Sequence, residues 1–260
     1  MKLALNSSLN NIGEISNEAS HSIEHSKMIA SRTTAMSNEG YGYAHKASLT
    51  NADSRINAKA AVYAFAKRAF DLIAVSIALP LLLPVFAVIA VIISLDSRGP
   101  VFYYQNRTGK DGKSFRFYKF RSMVTNADAV KVTLATINEA TGPIFKMRND
   151  PRVTKVGRIL RKYSIDELPQ LINVFCGEMS IIGPRPLPVQ EAEQCTERQF
   201  TRHSIKPGLL CFREVNGRSN LSFEEWMESD LDYLEKRGFR TDFSILVRAI
   251  PAVLNADGAY

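Results

Sequence analysis

Adjacent carboxylates, Asp166 and Glu167, follow Arg158, Arg161 and Lys162 and precede Arg185 within a single run from Arg158 to Pro188. Carboxylates can act as nucleophiles, proton carriers or ligands of a hard cation, and arginines grip anions, so this spacing points to chemistry on an anion. A structural account also exists. Ser164-Ile-Asp-Glu167 matches the capping box S-x-x-E, and acids in a first helical turn are stabilised by the helix dipole. Pro169 opposes the simple version, because with Ser164 as cap it would be the fifth helical residue and press on the Ile165 carbonyl. Moving the cap to Asp166 puts the proline in the tolerated first turn and leaves the acids at the helix mouth, within reach of a metal or a phosphorus atom. In Gly183-Pro184-Arg185-Pro186, two prolines restrict the backbone around one arginine and reduce the freedom it loses on gripping an anion, although a surface turn explains the same residues.

Composition narrows the alternatives. The chain carries a net charge of +7, which suits an anionic partner such as nucleic acid, a lipid surface or a phosphorylated substrate. The charge is uneven: residues 61–165 hold 17 Lys and Arg against 6 Asp and Glu, and residues 166–260 hold 10 against 15. Of four histidines, only His203 lies beyond the first sixty residues, which disfavours histidine acid–base or Ser-His-Asp chemistry. Cys176, Cys195 and Cys211 form no metal pattern and read as reduced thiols. Gly109-Lys-Asp-Gly-Lys-Ser114 imitates the end of a Walker A loop, but Arg107 stands where its first glycine belongs, which excludes that kind of nucleotide site.

The elements that must position these groups follow. Residues 1–60, with ten Ser and seven Asn, read as a disordered polar tail without the apolar core of a cleavable signal peptide. Leu72 to Leu95 is 24 residues without a charge, enough for a membrane-inserted helix of roughly 36 Å. Pro80 and Pro84 near its middle, with cations on both flanks, predict a helix that breaks and returns to the cytoplasmic side; a kinked span is the alternative. Val101–Gln105 and Ser114–Arg121 read as strands around a turn at Asp111-Gly112, with Phe115, Phe117, Lys119 and Arg121 on one face. Helices are expected at the start of 126–148, through Val156–Lys162, over Val189–Phe200 and after the Ser222/Glu225 capping box. The segment Phe243–Leu254 is expected either in the core or on a membrane surface.

The linked motifs Lys67-Arg-Ala-Phe-Asp71, Tyr118-Lys-Phe-Arg121, Asn149-Asp-Pro-Arg-Val-Thr154, Ser164-Ile-Asp-Glu-Leu-Pro-Gln-Leu-Ile-Asn-Val174, Gly177-Glu-Met-Ser-Ile-Ile-Gly-Pro-Arg-Pro186, Lys206-Pro-Gly208, Val215-Asn-Gly-Arg218 and Asp257-Gly-Ala-Tyr260 resemble the bacterial sugar transferases that charge a polyprenyl phosphate. These are the monotopic phosphoglycosyl transferases of exopolysaccharide and O-antigen assembly. The resemblance covers residues 64 to 260 and implies an α+β, mainly α, fold. It consists of a membrane-inserted re-entrant helix-break-helix over 61–96 and a compact cytosolic catalytic domain over 97–260, with a small β-hairpin and amphipathic interfacial helices. It further implies location at the bacterial inner membrane and use of Mg²⁺. The reaction it implies is transfer of a sugar 1-phosphate from a UDP-sugar, by analogy UDP-glucose or UDP-galactose, to undecaprenyl phosphate with release of UMP. Asp166 would be the nucleophile of a covalent phosphosugar intermediate, with Glu167 assisting the metal or the acceptor proton and both acids serving as metal ligands. Arg161, Arg185 and Arg218 would grip phosphate, with Lys119 and Arg121 beside them.

The sequence departs from the family's habits in two places. Leu83-Pro84 stands where relatives commonly have Ser-Pro, and Cys211-Phe-Arg-Glu-Val215 stands where they commonly have Gly-Leu-Trp-Gln-Val. The extra membrane domain of longer relatives is not expected. Membrane lipid is an expected partner and a homo-oligomer is allowed. Two rival readings are an inactive scaffold of the same fold and a membrane-anchored anion- or nucleic-acid-binding regulator. The second lacks a nucleic-acid recognition motif, so no nucleic-acid partner is expected.

Overall fold

The computed structural model describes residues 51–217 and 220–255, so residues 1–50 of the expected tail and Arg218 lie outside the described residues, while residues 51–60, expected as the end of that tail, are helical. Helix α1, Asn51–Asp96, is helical without interruption and contains both Pro80 and Pro84. The expected break is therefore not a gap in the helix; any change of direction is taken up within helical backbone. From Lys59 to Asp96 it is long and apolar enough to cross a membrane, yet only 17% of its most apolar window is buried in protein. That value excludes an ordinary core helix.

The two sides of α1 do different things. Val75, Leu79, Leu82, Phe86, Ile89 and Ile93 recur every three or four residues and seat in two apolar clusters. Ile73, Ile77, Leu81, Val85, Val88, Ile92 and Leu95 on other faces are exposed. Polar ties hold both ends to the same domain. At the start, Lys67 Nζ lies 2.7 Å from Asp242 Oδ2, which also accepts from Tyr63 Oη at 2.8 Å. At the end, Arg121 Nη2 donates to the Ser97 carbonyl at 2.6 Å and to Ser97 Oγ at 3.0 Å.

Strand β1, Phe102–Thr108, pairs antiparallel with β2, Ser114–Phe120, so β1 runs three residues beyond the expected Gln105. The reversal uses left-handed backbone at Asp111 (φ 56°) and Gly112 (φ 75°), as the Asp-Gly pair predicts. Phe115 and Phe117 pack under the stretch of α1 from Val75 to Leu82 and Phe120 under that from Phe86 to Ile93, so the hairpin is the layer on which the helix lies.

Helix α2, Ala127–Thr133, is followed by a loop through Gly142-Pro143. Helix α3, Lys155–Lys162, is capped by Thr154, whose hydroxyl accepts from Gly157 N at 2.9 Å. Helix α4, Gln170–Cys176, is bound to β2 by buried Asn173, which donates to the Arg116 carbonyl at 2.6 Å and accepts from Tyr118 N at 3.2 Å. These contacts satisfy part of the open edge of β2.

Strand β3, Ser180–Ile182, leads to α5, Val189–Ala192, and α6, Glu197–Phe200. The single helix expected over Val189–Phe200 is thus two short ones, because Thr196 and Gln199 form a new capping box that restarts the helix. Strand β4, Gly208–Leu210, pairs parallel with β3. Then come α7, Phe212–Asn216, α8, Phe223–Lys236, and α9, Phe239–Asn255. The capping box of α8 has both halves in place at Ser222 and Glu225. On α9 the core face is Ile245 and Ala249, whereas Phe243, Val247, Ile250 and Leu254 are exposed. The fold is mainly helical with two small sheets among the described residues, and the described cysteines are free thiols.

The β3–β4 crossing depends on two glycines. A Cβ on Gly208 would stand 2.0 Å from Gly183 N, a contact that backbone cannot relieve cheaply. Gly208→Ala is expected to lower stability by about 1–3 kcal/mol, as other overpacked sites do. A thermal unfolding midpoint equal to wild type would contradict this close packing.

Candidate active site

The acid pair owes its position to the way α3 ends. Ser164 adopts left-handed backbone (φ 55°), Ile165–Glu167 forms one 3₁₀ turn, and Pro169 precedes the first residue of α4. Both capping assignments from sequence are therefore corrected: the Ser164 side chain makes no capping hydrogen bond, and Asp166 lies a turn ahead of α4 rather than at its cap. The proline, with no N–H to offer, is accommodated at this start without losing an intrahelical hydrogen bond.

Around the pair converge cations from separate elements. Lys119 of β2 places Nζ 2.6 Å from Glu167 Oε1 and 3.8 Å from Asp166 Oδ2. Arg185 approaches Glu167 with both terminal nitrogens, Nη1 at 3.0 Å from Oε2 and Nη2 on Oε1. Its Nη1 also lies 3.3 Å from Glu214 Oε1. Arg161, at the end of α3, lines the same cavity of about 550 Å³. Arg121 lines it too, but with Nη2 committed to Ser97.

Arg185 is held from behind. Its carbonyl accepts from Arg202 Nη2, which also pairs with buried Asp230. On its other side, Arg107 Nη1 donates to the Pro186 carbonyl at 2.7 Å while its guanidinium lies 4.2 Å over the Phe117 ring. Thr108 N donates to the Leu187 carbonyl at 2.9 Å, so the Pro-Arg-Pro loop rides along β1.

Electrostatics separate the two acids. Burial works against the charged form of Glu167, but Arg185 and Lys119 outweigh it and hold the carboxyl well below its usual range. For Asp166 burial dominates; Lys119 opposes it and the charge of Glu167 reinforces it, so this carboxyl titrates above its usual range. Arg185 is held well above its ordinary value, since Glu167 and Glu214 overcome burial. Burial, aided by neighbouring Arg185, brings Arg107 down to about 10. One acid is locked as an anion and the other is a poorly solvated carboxylate facing positive charge.

Sequence reasoning missed Arg107, Asn173 and the Arg202–Asp230 pair, and reached Glu214 only as part of the departure at Cys211–Val215. The alternation of β1 carried a signal for Arg107, and the departure from the family pattern one for Glu214. Arg202 and Asp230 are 28 residues apart with no local signature.

No cage of three or more His, Cys, Asp or Glu exists among the described residues. The donor set is instead the kind Mg²⁺ shares with phosphates, one or two carboxylates with waters retained. Asp166 has acceptor capacity to spare, while both Glu167 oxygens are engaged by cations.

The layout gathers two carboxylates and several cations in one cavity of a domain seated along a long apolar helix. Comparison with known proteins gives the particular kind: residues 62–256 match the bacterial sugar transferase family, and the chain belongs to it. Galactosyl transferase CpsE of Streptococcus agalactiae serotype III is 43% identical over 62% of this chain and 36% of its own length. Exopolysaccharide production protein ExoY of Rhizobium meliloti is 39% identical over 75% of this chain and 88% of its own. Undecaprenyl-phosphate galactose phosphotransferase of Salmonella typhimurium is 37% identical over 75% of this chain and 42% of its own. The chain thus spans most of ExoY and well under half of the other two.

The opposite shifts of the two acids make opposite stability predictions. Glu167→Gln takes the nearest counter-ion from two nearly buried cations, leaving Lys119 only Asp166 at 3.8 Å and Arg185 only Glu214 at 3.3 Å, and is expected to cost about 3 kcal/mol. Asp166→Asn removes a charge that burial penalises and is expected to leave stability equal or higher. A carboxyl with a raised folded pKa makes the protein more stable as pH falls through that value. The stability difference between wild type and Asp166→Asn should therefore move in favour of wild type on acidification, and parallel pH profiles would refute the assignment.

Proposed function

We propose that this chain transfers a sugar 1-phosphate from a UDP-sugar to undecaprenyl phosphate and releases UMP, with Asp166 as nucleophile. The observation that carries the reading is the division of labour between the acids: Glu167 is engaged on both oxygens, and Asp166 is the poorly solvated carboxylate beside Lys119. An Asp166 oxygen attacks the sugar-bearing phosphorus, and the bond to the bridging oxygen breaks with its electron pair leaving on UMP. An oxygen of undecaprenyl phosphate then attacks the same phosphorus and displaces the Asp166 carboxylate, giving a lipid diphosphate sugar.

A carboxylate attacks a diphosphate only where positive charge offsets the repulsion. Lys119, Arg161 and Arg185 face the cavity for that purpose, and Glu167 fixes Lys119 and Arg185 in advance of the substrate. Of the two expected metal ligands, Asp166 has the free acceptor capacity and Glu167 would join only by sharing an oxygen already on Arg185; Mg²⁺ there would supply further charge neutralisation on the phosphate oxygens. UDP-glucose and UDP-galactose are the proposed donors, and the names of the galactosyl and galactose phosphotransferase relatives support the second.

The proposed location is the cytoplasmic face of the inner membrane, with α1 inserted and returning to the same side. Support comes from the ties at its two ends: Lys67 on Asp242 and Ser97 on Arg121 belong to one domain. A straight helix between them would be about 45 Å long and would carry one end across the bilayer, away from that domain. The exposed stripe of α9 would add an interfacial contact.

Membranes supplied with undecaprenyl phosphate, Mg²⁺ and UDP-galactose or UDP-glucose are expected to release UMP. Asp166→Asn should reduce the rate at least about 10³-fold, as removal of a nucleophile does. The rate should also fall on acidification through the raised titration range of Asp166, since the protonated acid does not attack. Turnover by Asp166→Asn at the wild-type rate would end the nucleophile assignment. Labelling of residues 67 and 98 from opposite sides of the membrane would end the re-entrant one.

A further inference from the structure

The cavity continues well past the acid–cation centre. Its wall passes from Arg107 to Glu191 on α5, Tyr103 on β1, Lys131 on α2 and Phe145 in the loop beyond. Glu191 is half-buried, and its carboxylate makes no hydrogen bond or ion pair with the described residues. Burial holds its pKa up, with Arg107 and Lys131 opposing. A carboxylate partly withdrawn from water with no protein donor on it has acceptor capacity free for a ligand that enters the cavity.

On the same wall, Arg152 lies 4.7 Å and Lys131 5.8 Å over the centre of the Phe145 ring, giving an aromatic surface with positive charge stacked on it. Acceptor oxygens next to an aromatic face suit a ring bearing adjacent hydroxyls. Resting on the proposed transfer reaction, we infer that Glu191, with Phe145 and Tyr103, forms the subsite that reads hydroxyl groups of the nucleotide-sugar donor. Only three residues beyond Pro188, Glu191 shares the proline-restricted segment that presents Arg185, so the group gripping phosphate and the group reading hydroxyls keep a constant separation. Two parts of the donor carry vicinal hydroxyls: the ribose and the hexose.

Steady-state kinetics of Glu191→Gln in the full chain separate them. The donor KM is expected to rise about tenfold with kcat within about twofold of wild type, because the contact is made in ground and transition states alike. If Glu191 reads the ribose, inhibition by UMP weakens by a similar factor in the variant, while 2′-deoxy-UMP inhibits both proteins equally. If it reads the hexose, UMP inhibition is unchanged and the KM effect disappears with a donor lacking the relevant hydroxyl. Glu191→Asp, which keeps the charge but withdraws it, should fall between. Unchanged KM and unchanged UMP inhibition in an active wild-type background would overturn the subsite alone. A joint fall in kcat and thermal midpoint would overturn it in favour of a structural role. Failure of wild type to release UMP from any UDP-sugar would remove the transfer reading beneath it.

Discussion

Glu167 is the counter-ion on which the site depends. A single carboxylate holds Lys119 from the hairpin and Arg185 from the loop after β3, and Arg185 reaches on to Glu214. Nearly buried ion clusters are poor sources of net stability, because desolvation consumes much of the Coulombic gain. What this one provides is order: positive groups stand in place before an anion arrives and need not reorganise when it does. Asp166 is the dependent partner. It lies next to a permanent negative charge and out of water, and the surrounding cations keep that arrangement tolerable.

The supports behind the cluster have their own logic. Arg185 is presented by a loop that two prolines restrict, Arg107 and Thr108 attach to β1, and Arg202 anchors from the rear through Asp230. Below the loop, backbone meets backbone at Gly183 and Gly208, where no side chain fits. Asn173 then fastens α4 to the hairpin that carries Lys119. Each of these contacts joins segments distant in sequence, so the geometry of the centre is a property of the whole domain.

That long-range character explains how much could be read from the chain. Elements with local signatures were legible: the Ser222/Glu225 box, the Asp-Gly reversal, the helix after Thr154, and the linked motifs that place Asp166, Glu167 and Arg185. Pro169 signalled that the acids lie outside the following helix, although not that Ser164 would turn left-handed to put them there. The split of Val189–Phe200 went unread because charge and helix propensity are continuous across a cap that only Thr196 and Gln199 create. Asn173 and the Arg202–Asp230 pair look like ordinary surface residues in sequence, since their partners are brought by folding. Glu214 showed only as a departure from habit.

Helix α1 has a consequence for anyone handling this protein. Val75 belongs to one core cluster and Phe86, Ile89 and Ile93 to another, so the apolar segment is an internal wall of the domain as well as its outer apolar surface. Removing residues up to 96 to obtain a detergent-free fragment would strip the aromatic floor of the hairpin bare, and that floor supports Lys119. The long apolar helix and the acid–cation cluster are parts of one folding unit, and the first cannot be cut away without disturbing the second.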